Sequence, residues 1–204
     1  MKTEPLIKGN YYHIYNRGNN GVDLFVDNEN YTHFLRLYEK YINPIADTFA
    51  WCLMKNHFHI LVYIKADAEI NKKELSYSTI EQPKEINPSK QFPHLFNSYT
   101  QAINKRYKRT GSLFEKPFER KIVSSEKYFT NLVYYIHHNP VHHGFVKRIM
   151  DYPWSSYDSI VSLKPTKLKR DRTVNSFGDV DNFIYYHTKE HDLEELKDLL
   201  IDFI

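Results

Sequence analysis

Two apolar runs, Thr48–Met54 and His57–Ile64, are separated only by Lys55 and Asn56. Both are rich in β-branched and aromatic residues, and so short a connection joins antiparallel strands. The patterns around this hairpin leave few topologies. Residues 11–16 read as an earlier strand. Between Asp27 and Ile42, Tyr31, Phe34, Leu35, Leu37, Tyr38 and Tyr41 recur at helical spacing, with Asp27 or Asn28 as the cap. Beyond the hairpin, a helix fits residues 95–108 and an extended stretch fits 112–123. A last helix runs from a Ser124 or Ser125 cap to about His138, where Asn139-Pro140 ends it. The order β-α-β-β-α-β-α predicts an α+β fold. It is a ferredoxin-like (RRM-like) antiparallel sheet with helices on one face, plus a further, tyrosine-bearing helix and a C-terminal extension.

Residues 1–160 carry these elements as one domain, interrupted at 66–92 by a long polar loop or insertion ending in Pro83, Pro88 and Pro93. Residues 161–204 read as a basic linker, with Lys164, Lys167, Lys169, Arg170 and Arg172, and an acidic tail. There Leu193, Leu196, Leu199, Leu200 and Phe203 suggest a small amphipathic helix. A single cysteine, Cys52, excludes an internal disulfide framework and fits a reducing compartment. No apolar run is long enough to span a bilayer, and Met1–Pro5 lack the apolar core of a signal peptide. The expectation is a cytoplasmic protein without a membrane partner.

In a strand, residues i and i+2 share a face. His57 and His59 therefore stand side by side, spaced to hold one metal ion or clamp one phosphate. The alternative is two exposed histidines on a half-buried strand. On the last helix, Phe129, Leu132, Val133 and Ile136 make the core face. Tyr135 and Asn139 lie on its border, four residues apart and able to meet. Tyr134 falls on the far side and reads as solvated. A tyrosine phenol can attack a phosphodiester when a Lewis acid stabilises the developing charge. Two imidazoles and the Asn139 carbonyl form an N,N,O set suited to Mg2+ or Mn2+. The alternative for Tyr135 is a ring packed on the sheet with its hydroxyl in water.

His57-Phe58-His59, following Trp51–Asn56, resembles the histidine-hydrophobe-histidine motif of the single-tyrosine (Y1, HUH) transposases of the IS200/IS605 type. Tyr135–Gly144 resembles their tyrosine helix, most of all in the branch called REP-associated tyrosine transposases. Asp151–Ser156 resembles that branch's Tyr-Pro-x-Ser-Ser segment, and Tyr12–Gly18 its opening motif. The resemblance spans roughly residues 8–160 and keeps the family's order. At 111–116 the chain has Gly-Ser-Leu-Phe-Glu-Lys where relatives often carry a Trp-Gln-Arg-like cluster. That departure bears on which DNA is recognised.

The resemblance implies a metal-dependent single-stranded DNA endonuclease and strand transferase that works through a 5′-phosphotyrosine intermediate on hairpin-flanked sites. By motif position Tyr135 is the nucleophile, and His57, His59 and Asn139 are the metal ligands. The implied partner is single-stranded or hairpin DNA, and the protein is a monomer or a homodimer that exchanges the tyrosine helix. Lys105, Arg106, Lys108, Arg109, Lys116, Arg120 and Lys121, with Arg17 in the first turn, are the expected phosphate contacts. Two rival readings are a single-stranded nucleic-acid-binding module that does not cleave, and a replication-initiator-type HUH nickase. A metal-dependent hydrolase with a structural tyrosine is a third. His13 could serve catalysis or contact DNA, and His137, His138, His142 and His143 could suggest a metal cluster, but all five read as structural or exposed; Trp154 reads as a packing anchor rather than a base stacker.

Overall fold

The structure, a computed structural model, describes residues 5–70, 87–189 and 191. Its centre is a four-stranded antiparallel sheet in the order β2-β3-β1-β4. The strands are β1 (Tyr11–Arg17), β2 (Ala46–Met54), β3 (His57–Ile64) and β4 (Glu119–Val123). The expected hairpin is present, with Met54 opposite His57 across the two-residue turn.

Two helices cover one face. α1 (Asn28–Tyr41) is capped by Asp27, whose carboxylate accepts from the Asn30 N–H. α2 (Pro88–Arg106) is capped by Asn87. Phe25, Phe34, Phe58, Phe92 and Tyr99 interlock here with Ile14 and Ile60. Each such side chain contributes about 1.5–3 kcal/mol of burial.

The other face is covered by α3 (Glu126–His142) and by three short helices, α4 (Tyr157–Val161), α5 (Arg170–Asn175) and α6 (Val180–Thr188). Its core holds Phe49, Leu61, Phe129, Leu132, Ile136, Tyr157 and Phe183.

Several expectations are corrected. α2 begins at Pro88, two turns earlier than predicted, with Pro93 inside it. Pro88 pre-sets the first turn, and burial of Phe92 offsets the bond that Pro93 removes. The predicted extended stretch is a strand only over Glu119–Val123. α3 does not stop at Asn139-Pro140 but continues to His142. Asn139 and Pro140 are buried there, and the Asn139 Nδ2 donates to the Tyr135 carbonyl one turn back.

The basic stretch 164–172 is tied down. Lys169 N–H bonds the Thr48 carbonyl and its ammonium pairs with Asp47, Arg170 donates to the Ser159 carbonyl, and Lys167 pairs with Glu39. The predicted C-terminal helix around Leu193–Phe203 and most of the predicted 66–92 loop lie outside the described residues.

The segment Tyr152–Ser156 runs along the outer edge of β2. Leu53 N–H donates to the Trp154 carbonyl, Ser156 N–H to the Trp51 carbonyl, and Trp51 N–H to the Ser156 Oγ. Trp154 stacks on Tyr31, ring centres 4.4 Å apart, which makes it the expected packing anchor.

Candidate active site

Strand alternation sorts β3 into two chemistries. Phe58, Ile60 and Val62 join the α1–α2 core, while His57, His59 and Leu61 face α3. The cross-strand register adds His13, Tyr15 and Arg17 of β1 and Glu119 and Lys121 of β4 to the α3 face. The two predicted imidazoles are thus neighbours, ring centres 5.4 Å apart and nearly perpendicular.

α3 delivers Tyr135 onto this pair. Its ring lies edge-on to His59 with centres 5.4 Å apart, and 6.2 Å from His13, all within one chain. Asn139 follows one turn later. Its Nδ2 is held by the Tyr135 carbonyl at 2.9 Å. Its Oδ1 is buried on the side of the His57 ring. The carboxamide lies close enough to His57 to favour the charged form of that ring.

Both histidines are held through Nδ1. His57 Nδ1 lies 2.7 Å from Asn56 Oδ1, and His59 Nδ1 lies 2.9 Å from His13 Nε2. Asn56 Oδ1 can only accept, so His57 carries its proton on Nδ1 and its lone pair on Nε2. Burial, with His143 and Arg17 nearby, pushes His57 down to about 3, and burial holds His59 well below its ordinary value. Both rings are therefore neutral near pH 7, the form that binds metal. Two neutral imidazoles and one buried carboxamide oxygen fit a divalent cation with positions left for water and phosphate. Among the described residues no three His, Cys, Asp or Glu side chains gather as a metal cluster.

Two histidines that the sequence reading set aside as structural or exposed are neighbours of the pair. His13 is fully buried against His59. His143, at the C-cap of α3, sets its ring 4.9 Å from that of His57. The signal for His13 was its phase on β1, which alternation puts on the face of His57 and His59.

Tyr134 is a correction. It is 3 % exposed, stacked on His138 and covered by Tyr186 and His191. α6, which the sequence pattern did not suggest, closes that side of α3. His137 likewise joins His187 and the Ser156 hydroxyl in a buried chain that ties α3 to α6 and β2.

The expected phosphate contacts do not form one stripe. Arg17 and Lys121 share the tyrosine face; Arg17 pairs with Glu115 at 2.8 Å, and Lys121 lies over the Tyr128 ring. Arg120 points to the opposite face and stacks on Phe118 at 3.9 Å. Arg106 is occupied by Asp27 and Glu29. Lys105, Lys108 and Arg109 lie at the end of α2, and Arg109 reaches Asn104. Lys116 and Arg120 line a cavity of about 670 Å³ with Asn97, Phe96, Phe114 and Phe118, on the side of the sheet away from Tyr135.

No family model matches the chain. A Haemophilus influenzae protein whose given name is that of a REP-associated tyrosine transposase is 27% identical over 115 residues, 54% of this chain and 58% of that protein. The match thus spans little more than half of the relative. A solved REP-associated tyrosine transposase bound to a REP hairpin superposes with a TM-score of 0.58 at 18% identity, over 81% of this chain and 88% of that one. A bacterial tRNA(His) guanylyltransferase-like protein in complex with GTP reaches a TM-score of only 0.38 over 68% of each chain, too loose to carry an argument. Among the described residues no helix is long and apolar enough to cross a membrane. In sequence over about half its length, and in fold over most of it, the chain resembles the REP-associated tyrosine transposases.

Proposed function

We propose that the protein is a tyrosine transposase that nicks and rejoins single-stranded DNA beside hairpins. The observation that carries this reading is the contact of the Tyr135 ring with His59 in the same chain. The non-cleaving alternative called for a tyrosine far from the histidine pair.

In this reading His57, His59 and Asn139 hold Mg2+ or Mn2+, which supplies Lewis-acid polarisation of a phosphodiester. Tyr135 is the nucleophile: its phenol oxygen bonds to phosphorus as the P–O3′ bond breaks. The phenolic proton passes to solvent, the departing oxygen gains one, and a 5′-phosphotyrosine and a free 3′-hydroxyl result. Attack by a 3′-hydroxyl on that link reverses the step and joins strands. Arg17 and Lys121, on the same face, are the cations we assign to the backbone nearest the scissile phosphate, with Lys105, Lys108, Arg109 and Lys116 further along the strand. A cytoplasmic setting goes with such a substrate.

The test is covalent trapping. With a hairpin-flanked single-stranded oligonucleotide and Mn2+, wild type and Tyr134→Phe should yield a protein–DNA adduct on a denaturing gel, and Tyr135→Phe should yield none. An adduct that survives Tyr135→Phe refutes the assignment.

A further inference from the structure

We propose that His13 is a positioning residue for His59: by accepting the His59 Nδ1–H at its own Nε2, it fixes the His59 tautomer and ring plane so that Nε2 carries the lone pair into the site. The inference rests on the metal reading above and concerns a residue outside the three ligands.

The two rings are fully buried, their planes are 30° apart, and the nitrogens are 2.9 Å apart. Two neutral imidazoles at that distance share one proton, which sits on one nitrogen or the other. If His13 donated, His59 would carry its proton on Nε2 and could not bind a cation there. If His59 donates, its Nε2 is a ligand. His57 supplies the precedent within the same site. Its Nδ1 is held by an oxygen that cannot donate, which forces its lone pair onto Nε2. Each of the paired imidazoles is thus gripped at Nδ1 by a neighbour from another position in the chain, Asn56 for one and His13 for the other. Such supporting partners set ligand orientation and typically account for a 10- to 100-fold difference in metal affinity. His13 is itself wedged between Tyr15, 4.8 Å away, and Tyr135, so its ring cannot swing aside.

Two measurements test this on the full chain. Long-range 1H–15N spectra of the metal-free wild type at pH 7 should report His59 protonated at Nδ1; protonation at Nε2 overturns the proposal without any variant. Titration with Mn2+, followed by electron paramagnetic resonance, should show His13→Leu binding about 10- to 100-fold more weakly. His13→Gln, which keeps an acceptor at a similar reach, should stay within about threefold of wild type while sharing the loss of thermal stability. Equal weakening in both variants, or none in His13→Leu, overturns the role. His57→Ala separates the two levels of the argument. If it leaves Mn2+ binding intact, the metal site falls and this inference with it. If it abolishes binding while His13→Leu does not weaken it, only the role of His13 falls.

Discussion

The two faces of the sheet are made from the same strands and do opposite work. Toward α1 and α2, β1 and β3 present Tyr12, Ile14, Phe58, Ile60 and Val62 to a close-packed aromatic core. Toward α3, the same strands present His13, His57 and His59, buried as deeply but polar. All five fully packed histidines of the described structure, including His137 and His187, lie on that side. One face is stabilised by excluding water from apolar surface. The other adds to its own apolar core a set of buried imidazoles, which stay neutral and are hydrogen-bonded to one another or to Asn56. Adjacent residues in one strand can therefore be changed to separate stability from chemistry.

The largest effect should come from Phe58→Ala, which empties a site between Phe34, Phe96 and Phe114. Chemical denaturation should show a loss of about 3–5 kcal/mol, while cleavage per folded molecule at low temperature stays near wild type. Its neighbour should behave in reverse. His57→Ala should cut cleavage by more than about 100-fold, beyond what loss of a supporting partner costs. Its unfolding free energy should fall by less than that of Phe58→Ala, since the ring removed is smaller and polar. If both variants lose stability equally, the division between the faces is not real.

Acid should act chiefly through the α3 face, where the buried histidines gather. Burial depresses His13, His57 and His187 to about 3. Below about pH 6.5 the unfolded chain takes up protons that these folded rings refuse, so stability present above that pH is lost as pH falls toward 3. Each such ring contributes a slope on the order of 1 kcal/mol per pH unit. Denaturant melts at pH 7 and pH 5 should record the drop, and His187→Gln should make it shallower. A pH-independent midpoint would contradict the buried-neutral account.

The smallest effect distinguishes adjacent cations on β4. Lys121→Ala should lower the slope of log K against log salt for single-stranded DNA by about 1. Arg120→Ala, facing the other way onto Phe118, should leave the slope unchanged. Equal effects would mean that DNA wraps the strand edge.

Much of this was legible in the residues. The two-residue turn and the period of two gave the hairpin and the shared face of His57 and His59. The period of 3.6 put Tyr135 and Asn139 together. Three things were hidden for physical reasons. α4, α5 and α6 are too short to carry a periodic stripe, so the burial of Tyr134 beneath α6 could not be read. The ending at Asn139-Pro140 followed a local rule that packing around α3 overrode. The His13–His59 contact joins residues 46 positions apart, and only the strand register reveals it.

The Tyr152–Ser156 segment has a consequence for how molecules of this protein can meet. The chain occupies the Trp51–Leu53 stretch of its own β2 margin, and among the described residues Glu119–Val123 forms the opposite margin of the sheet. That border bears Glu119, Arg120 and Lys121 in succession, so a second copy aligning there meets an uneven run of charge rather than a sticky ribbon. A second copy thus meets the chain's own backbone along part of one margin and ionic side chains along the other.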